Sequence, residues 1–290
     1  MDIFKNREDF NTFSKQGFDS GPYINSKQVT ELQELYNEVE NQLHFDQGCN
    51  FSVLEKDIDL RTYIHNSIIS ICKPSLDKRF KDYKFFIAHL IVKKPYSKKS
   101  ISLHQDPMFT DQAIYPAMSV WTALGGVDEV TGKFGFINHA VDAFPPFQTE
   151  TLPQVFKNVY NHLNSDVSEL ALKAGDGIYF DNRMIHYTHP NISNKTRVGL
   201  TIKIAHKDAE NLTLHRVPGQ PNAEIKLYKH HDSFYADADW VYDSSKEHGH
   251  NCLGVLDYEP YFEDEESIKQ VLQNKTPNKY QSKSIKYFLK

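Results

Sequence analysis

The sequence predicts a mainly β protein with flanking α-helices, and three observations carry that prediction. The first eighty or so residues space their apolar side chains at helical intervals. From Lys84 the texture changes to short segments rich in β-branched and aromatic residues, separated by Gly, Pro and Asp, as expected of an antiparallel barrel or sandwich. After about Asp208 this regularity gives way to a stretch dense in aromatics, histidines and acids. One domain over 1–290 is expected, with a helical part at 1–83, a barrel core at 84–206 and an extension or lid at 207–290.

The elements follow in order. In SKQVTELQELYNEVENQL, Val29, Leu32, Leu35, Val39 and Leu43 recur at helical spacing, and Ser26 is the expected N-cap. A second helix is expected from Asp59 to Tyr83 on the face Leu60, Ile64, Ile68 and Ile71, with Pro74 breaking or restarting it. FFIAHLIVKK, SISLHQD, PAMSVWTAL, KFGFIN and RVGLTIKIA read as strands. Thr149 to Leu163 reads as a weakly helical insertion, and Gly175-Asp176-Gly177 as a turn feeding a strand. Ala209 to Tyr261 is expected to lie over the barrel as an ordered extension. The helix EDEESIKQVLQ follows, its carboxylates at the positive end of the dipole, and the lysine-rich last fifteen residues are expected to fray.

Composition excludes several classes. Thirty-three basic against 38 acidic side chains leave a charge of -5, which offers no electrostatic footprint for nucleic acid. Three scattered cysteines, Cys49, Cys72 and Cys252, form neither a disulfide framework nor a thiolate zinc motif. The charged start, MDIFKNREDFNTF, has no apolar signal region, and the longest apolar run, Phe85 to Val92, is interrupted by His89 and too short to span a bilayer. A cytoplasmic setting without membrane association is the expectation, and the sequence leaves the oligomeric state open.

The chemistry gathers at SLHQDPMF. Side chains at i and i+2 of a strand point to the same face, so His104 and Asp106 stand side by side. His186, in NRMIHYTHP, is the candidate for a third ligand. Two imidazoles and one carboxylate on one face of an octahedron leave three positions open, the arrangement that suits non-haem Fe(II) oxygenases. The segments carrying these residues are those a double-stranded β-helix would bring together. Arg197 lies eleven residues beyond His186 and opens the next strand, where alternation sets Arg197, Gly199 and Thr201 towards the barrel interior. Its guanidinium fork can bind the far carboxylate of a metal-chelated dicarboxylate in a way lysine cannot. Thr188, on the face of His186, can add a hydroxyl to that carboxylate. His230-His231-Asp232 and His248-Gly249-His250 read as surface or lid residues, and His89 and His206 as satisfied core or supporting groups.

HQD at 104–106, VWTAL at 120–124, the turn containing Gly132, GDGIYFDNRMIHYTHPN at 175–191 and Arg197 together resemble the phytanoyl-CoA dioxygenase family of Fe(II)/2-oxoglutarate oxygenases. The opening QGFDSGPYINSKQVTELQELYNEVE is similar to that family's N-terminal helical segment, so the likeness spans roughly 15 to 206. It implies a jelly-roll, cupin-like core with iron held by His104, Asp106 and His186. It also implies 2-oxoglutarate held by Arg197, with Thr188 and Trp121 as helpers and either Lys93 or Lys94 contributing. The chain departs from the family at Ile137-Asn138-His139-Ala140, where relatives carry Gly-Ser-His. The implied activity is hydroxylation of a small molecule with O₂, releasing succinate and CO₂. The halogenating relatives lack a carboxylate at the position of Asp106. Desaturation and ring closure remain open, as does a second class, a metal-binding barrel without oxygenase activity (an isomerase, hydrolase or binding protein). Phe109, Tyr115, Phe144 and Phe147 are candidates to line an apolar pocket, and the lysines of KKPYSKK to hold an anionic handle.

Overall fold

In the computed structural model the described residues are 2–137, 141, 143–144, 147–149, 156, 167–216, 224–239, 251–257, 265–274 and 283–290. The chain opens with α1 (Arg7–Gln16), capped by the Asn6 side chain and closed by Gly17 at φ 79°. Strand β1 (Phe18–Pro22) leads to α2 (Ser26–Val39). The residue before Ser26 does the capping: Asn25 accepts from the Gln28 N–H while Gln28 accepts from the Asn25 N–H, a capping box. After β2 (Cys49–Phe51), helix α3 (Ile58–Arg79) runs unbroken through Pro74, against expectation. An interior proline costs about 3 kcal/mol. Leu60, Ile64, Ile68, Cys72 and Leu76 are all buried along this helix. At roughly 1.5–3 kcal/mol for each large side chain, their burial outweighs the proline. The helix also ends earlier than predicted, because Tyr83 already belongs to a strand.

Eight strands are then shared between two sheets, alternating except at β6 and β7: β3 (Tyr83–Lys93), β4 (Ile101–His104), β5 (Ala117–Ala123), β6 (Phe134–Ile137), β7 (Val167–Leu170), β8 (Asp176–Asp181), β9 (His186–Thr188) and β10 (Arg197–His206). The large sheet runs β1-β8-β5-β10-β3-β2 and the small one β4-β9-β6-β7, with every pairing antiparallel. This is a double-stranded β-helix, with cupin-like architecture, whose two sheets face each other without closing into one hydrogen-bonded barrel. The expected barrel is therefore a sandwich, widened by two short edge strands from the N-terminal part that had read as wholly helical.

The large sheet is buried on both faces, so its strands read as continuous apolar runs. Its outer face (Leu90, Val92, Val120, Leu200, Ile202 and Ile204) joins one core cluster with α2 and α3. Its inner face looks across to the small sheet, with Trp121, Ile178 and Phe180 against Phe134 and Phe136. Gly175 makes the turn into β8 possible: its φ of +88° suits glycine, and a Cβ there would lie 2.7 Å from the Ile24 carbonyl oxygen.

Residues beyond 208 are more regular than expected. Strands β11 (Asn211–His215), β12 (Lys226–His230) and β13 (Cys252–Val255) form an antiparallel sheet. Leu212, Leu214 and Leu227 on that sheet share a cluster with Met108, Phe147 and Ile285. The fraying expected at the C-terminus is absent over 283–290. Ile285 is fully buried there, and Leu289 bridges to Leu256. Short helices α4 (Phe234–Asp237) and α5 (Glu265–Asn274) complete the order. His139, the pair His248 and His250, and nearly all of the expected helix at 149–163 fall outside the described residues. No helix among the described residues is long and apolar enough to cross a membrane.

Candidate metal centre

His104 closes β4 and His186 opens β9, and the two are direct register partners. Their rings approach to 4.3 Å between centroids. Asp106, two residues past the strand end, turns Oδ1 to within 3.7 Å of His104 Nε2 and 3.9 Å of His186 Nε2. One donor atom from each of the three lies within 4.8 Å of the others, the spread that a single metal ion gathers.

Proton positions favour that use. His104 Nδ1 lies 2.7 Å from the Ser102 carbonyl, and His186 Nδ1 lies 3.0 Å from the Met184 carbonyl. A carbonyl only accepts, so each Nδ1 carries the hydrogen and each Nε2 presents a bare lone pair to the shared point. Burial pushes the His186 imidazole down to about 4, helped by the neighbouring His104, which keeps it neutral and able to ligate.

Asp106 is prepared from behind. Burial works to raise its carboxyl, but the Lys203 ammonium, with smaller help from His186 and His104, holds it well below the usual carboxylate range. Lys203 Nζ sits 2.9 Å from Oδ2, and the Ser119 hydroxyl donates to the same oxygen at 2.9 Å. Lys203 and Ser119 also reach Asn182 Oδ1, which ties β5, β8 and β10 into one support. Oδ2 is thereby engaged and Oδ1 is left towards the histidines. Sequence reasoning had not singled out Lys203, Ser119 or Asn182. The signal for Lys203 was present, because it continues the inward face of Arg197, Gly199 and Thr201 along β10.

Beside the wall residues Thr188 and Trp121 the charge is reversed. Arg197 begins β10, is 4% exposed, and neither terminal nitrogen has a hydrogen-bond partner among the described residues. Its guanidinium lies 5.0 Å from the Trp121 ring centroid. Gly199 leaves room for that ring, since a Cβ there would come within 2.9 Å of the indole. Lys93 pairs with Arg197 in register, is fully buried, and donates to the Thr188 hydroxyl at 2.8 Å and the His189 carbonyl at 2.6 Å. Burial and then the Arg197 charge push Lys93 down to about 7, and burial brings Arg197 to about 10. Of the two lysines left open, Lys93 is the one beside Thr188 and Arg197, while Lys94 pairs with Glu40 on the helical side.

A cavity of about 590 Å³ is lined by the triad together with Thr188 and Trp121. Its aromatic walls are Phe51, Phe134, Phe180, Phe234 and Tyr235 rather than the expected Phe109, Tyr115, Phe144 and Phe147. Phe109 instead packs on Phe86, and Phe144 on Phe156. The lysines at 93–99 are likewise absent from the wall, and Lys99 pairs outward with Asp46. His230 stacks on Phe234 at 3.7 Å between ring centroids, a packing role.

A three-donor cation site set opposite two buried cations, inside a double-stranded β-helix, is the form of a non-haem iron enzyme that takes an anionic co-substrate. The chain matches the sequence profile described as phytanoyl-CoA dioxygenase over residues 26–199. It belongs to that family, and it is therefore an Fe(II)- and 2-oxoglutarate-dependent enzyme. No curated protein sequence matches the chain. Among solved structures, the 2-oxoglutarate-dependent carbocyclase SnoK from nogalamycin biosynthesis aligns with a TM-score of 0.51 at 16% identity, over 71% of this chain and 86% of that one. The epimerase SnoN of the same biosynthesis aligns with 0.49 at 15%, over 69% and 83%. HygX from Streptomyces hygroscopicus, with nickel and 2-oxoglutarate bound, aligns with 0.48 at 11%, over 70% and 88%. At these identities the likeness is one of fold.

Proposed function

We propose that the protein is a dioxygenase that hydroxylates an unactivated C–H bond of a small-molecule substrate, consuming 2-oxoglutarate and O₂ and releasing succinate and CO₂. His104, Asp106 and His186 hold the iron in this reading, and Arg197, with Thr188, Trp121 and Lys93, holds 2-oxoglutarate. One observation carries it: three convergent donors with free lone pairs line a cavity whose wall residue Trp121 lies against a buried guanidinium, and the two terminal nitrogens of that guanidinium are unbonded among the described residues. Leaving such donors unmade inside a protein is costly, so they point to an anionic partner in the working state.

Iron, when bound, supplies the O₂ activation that the side chains cannot. The chain's own residues do the rest. The carbonyls behind His104 and His186 hold each Nδ1–H, so Nε2 faces inward. Lys203 and Ser119 keep Asp106 ionised and fix one oxygen away from the centre. Arg197 and Lys93 orient the far carboxylate of the co-substrate, and the aromatic walls exclude water from the reacting carbon.

With iron and 2-oxoglutarate the protein is expected to release succinate slowly, and a true substrate should accelerate this and gain the mass of one oxygen atom. Asp106→Ala should abolish both. If the iron-loaded protein neither binds nor turns over 2-oxoglutarate, the proposal is wrong and the non-oxygenase class takes its place.

A further inference from the structure

In the cavity wall, β3 presents Ile87, His89 and Ile91 to the interior, and β10 sets Thr201 directly opposite His89. His89 Nδ1 lies 3.1 Å from the Leu90 carbonyl, so Nδ1 carries the hydrogen and Nε2 is an acceptor. Burial pushes this imidazole down to about 4, and it stays neutral at ordinary pH. Among the described residues neither Nε2 of His89 nor the Thr201 hydroxyl has a hydrogen-bond partner. The neutral Nε2 lone pair repels a carboxylate or phosphate and suits an O–H donor, and the Thr201 hydroxyl can either donate to or accept from such a group.

The rest of the wall agrees. Its only described charged residues are Asp106 and Lys203, and these two are paired with each other at 2.9 Å. Apart from the triad, the lining is dominated by Ile, Leu, Val, Met and aromatic side chains. A volume of about 590 Å³ falls in the range of small-molecule sites.

We infer, on the dioxygenase reading above, that the substrate is an uncharged, largely apolar small molecule whose hydroxyl group donates to His89 Nε2 and shares the Thr201 hydroxyl. Anionic substrates, including those carried on phosphate-bearing thioesters, find no free cation in this part of the wall. His89 is thus a specificity residue rather than a satisfied core histidine.

The test uses three probes of one shape, 1-naphthol, naphthalene and 1-naphthoate, titrated under nitrogen into full-length protein loaded with iron and 2-oxoglutarate. Naphthol is expected to bind about tenfold more tightly than naphthalene, the worth of one hydrogen bond to a buried acceptor, and naphthoate more weakly than either. His89→Phe should erase the naphthol preference, and His89→Gln, which keeps an acceptor, should retain most of it. A naphthoate preference, loss of all three bindings, or a naphthol preference surviving in His89→Phe would overturn the inference. So would a parallel loss of 2-oxoglutarate affinity in that variant, which would assign the notch to the co-substrate. Failure of the dioxygenase reading appears separately, as absence of 2-oxoglutarate binding in the wild type. The naphthol comparison without 2-oxoglutarate then still decides the class of occupant.

Discussion

The metal-binding cluster and the cation pair behind the cavity wall solve opposite electrostatic problems. At one, His104, Asp106 and His186 bring lone pairs and a negative charge to a point, and that charge is already balanced by Lys203 at 2.9 Å. At the other, Arg197 and Lys93 bury two cations side by side, both pushed below their ordinary pKa by desolvation. The first is stable before anything binds, because its carboxylate has a counterion. The second is strained without an anion, because removing a charge from water is expensive unless it is paired. In the proposed reading, a ligand with a metal-chelating head and a distal carboxylate would relieve the second while completing the first.

Breaking the compensated cluster should have the largest effect. Asp106→Asn removes the anionic ligand, and a metal titration followed by calorimetry should show affinity falling by roughly 100-fold or more, with Lys203 losing its carboxylate partner. At the strained pair, Arg197→Leu should weaken 2-oxoglutarate by about 2–3 kcal/mol while sparing metal binding. The same variant should raise the Tm of the ligand-free protein, because deleting an unpaired buried charge in favour of an apolar side chain stabilises the fold. A lowered Tm would mean that Arg197 is already paired.

Lys203→Met tests how far Asp106 depends on its counterion. With only Ser119 left on Oδ2 the carboxyl should rise, so metal affinity should drop by about tenfold and fall off further on acidification. An unchanged pH profile would limit Lys203 to packing.

The smallest effect is one of pH. Lys93 sits near 7 in the free protein, and an anion beside it favours the ammonium, raising that value on binding. 2-Oxoglutarate should therefore bind with proton uptake, tightest below about pH 7 and weakening by at most about tenfold per unit above it. Calorimetry in buffers of different ionisation enthalpy measures the uptake. The same depressed value means that the free protein gains stability as pH rises from about 7 towards the ordinary lysine value, since the unfolded chain then binds more protons.

Much of this was legible because it is local. The HxD spacing sets His104 and Asp106 on one face, and the alternation Arg197, Gly199, Thr201 continues to Lys203, all of which periodicity alone dictates. The helix at 26–39 showed in its apolar spacing. Pro74 misled because a local penalty was weighed without the buried face that overrides it. The C-terminal sheet was hidden because its strands are only four or five residues long and are joined by connections much longer than a tight hairpin turn, so its pairing leaves little local pattern.

Residue types and their periodicity were enough to specify the strand-rich core, the three metal-binding candidates and the arginine that faces inward. The fold alone decided that His104 meets His186 across β4 and β9, that Lys93 rather than Lys94 lies against Thr188, that Lys203 neutralises Asp106, and that His89 on β3 faces a cavity shared with β10. Each of these is a contact between strands distant in the chain, and such contacts are set by sheet register and by the sandwiching of two sheets, quantities that no single segment encodes.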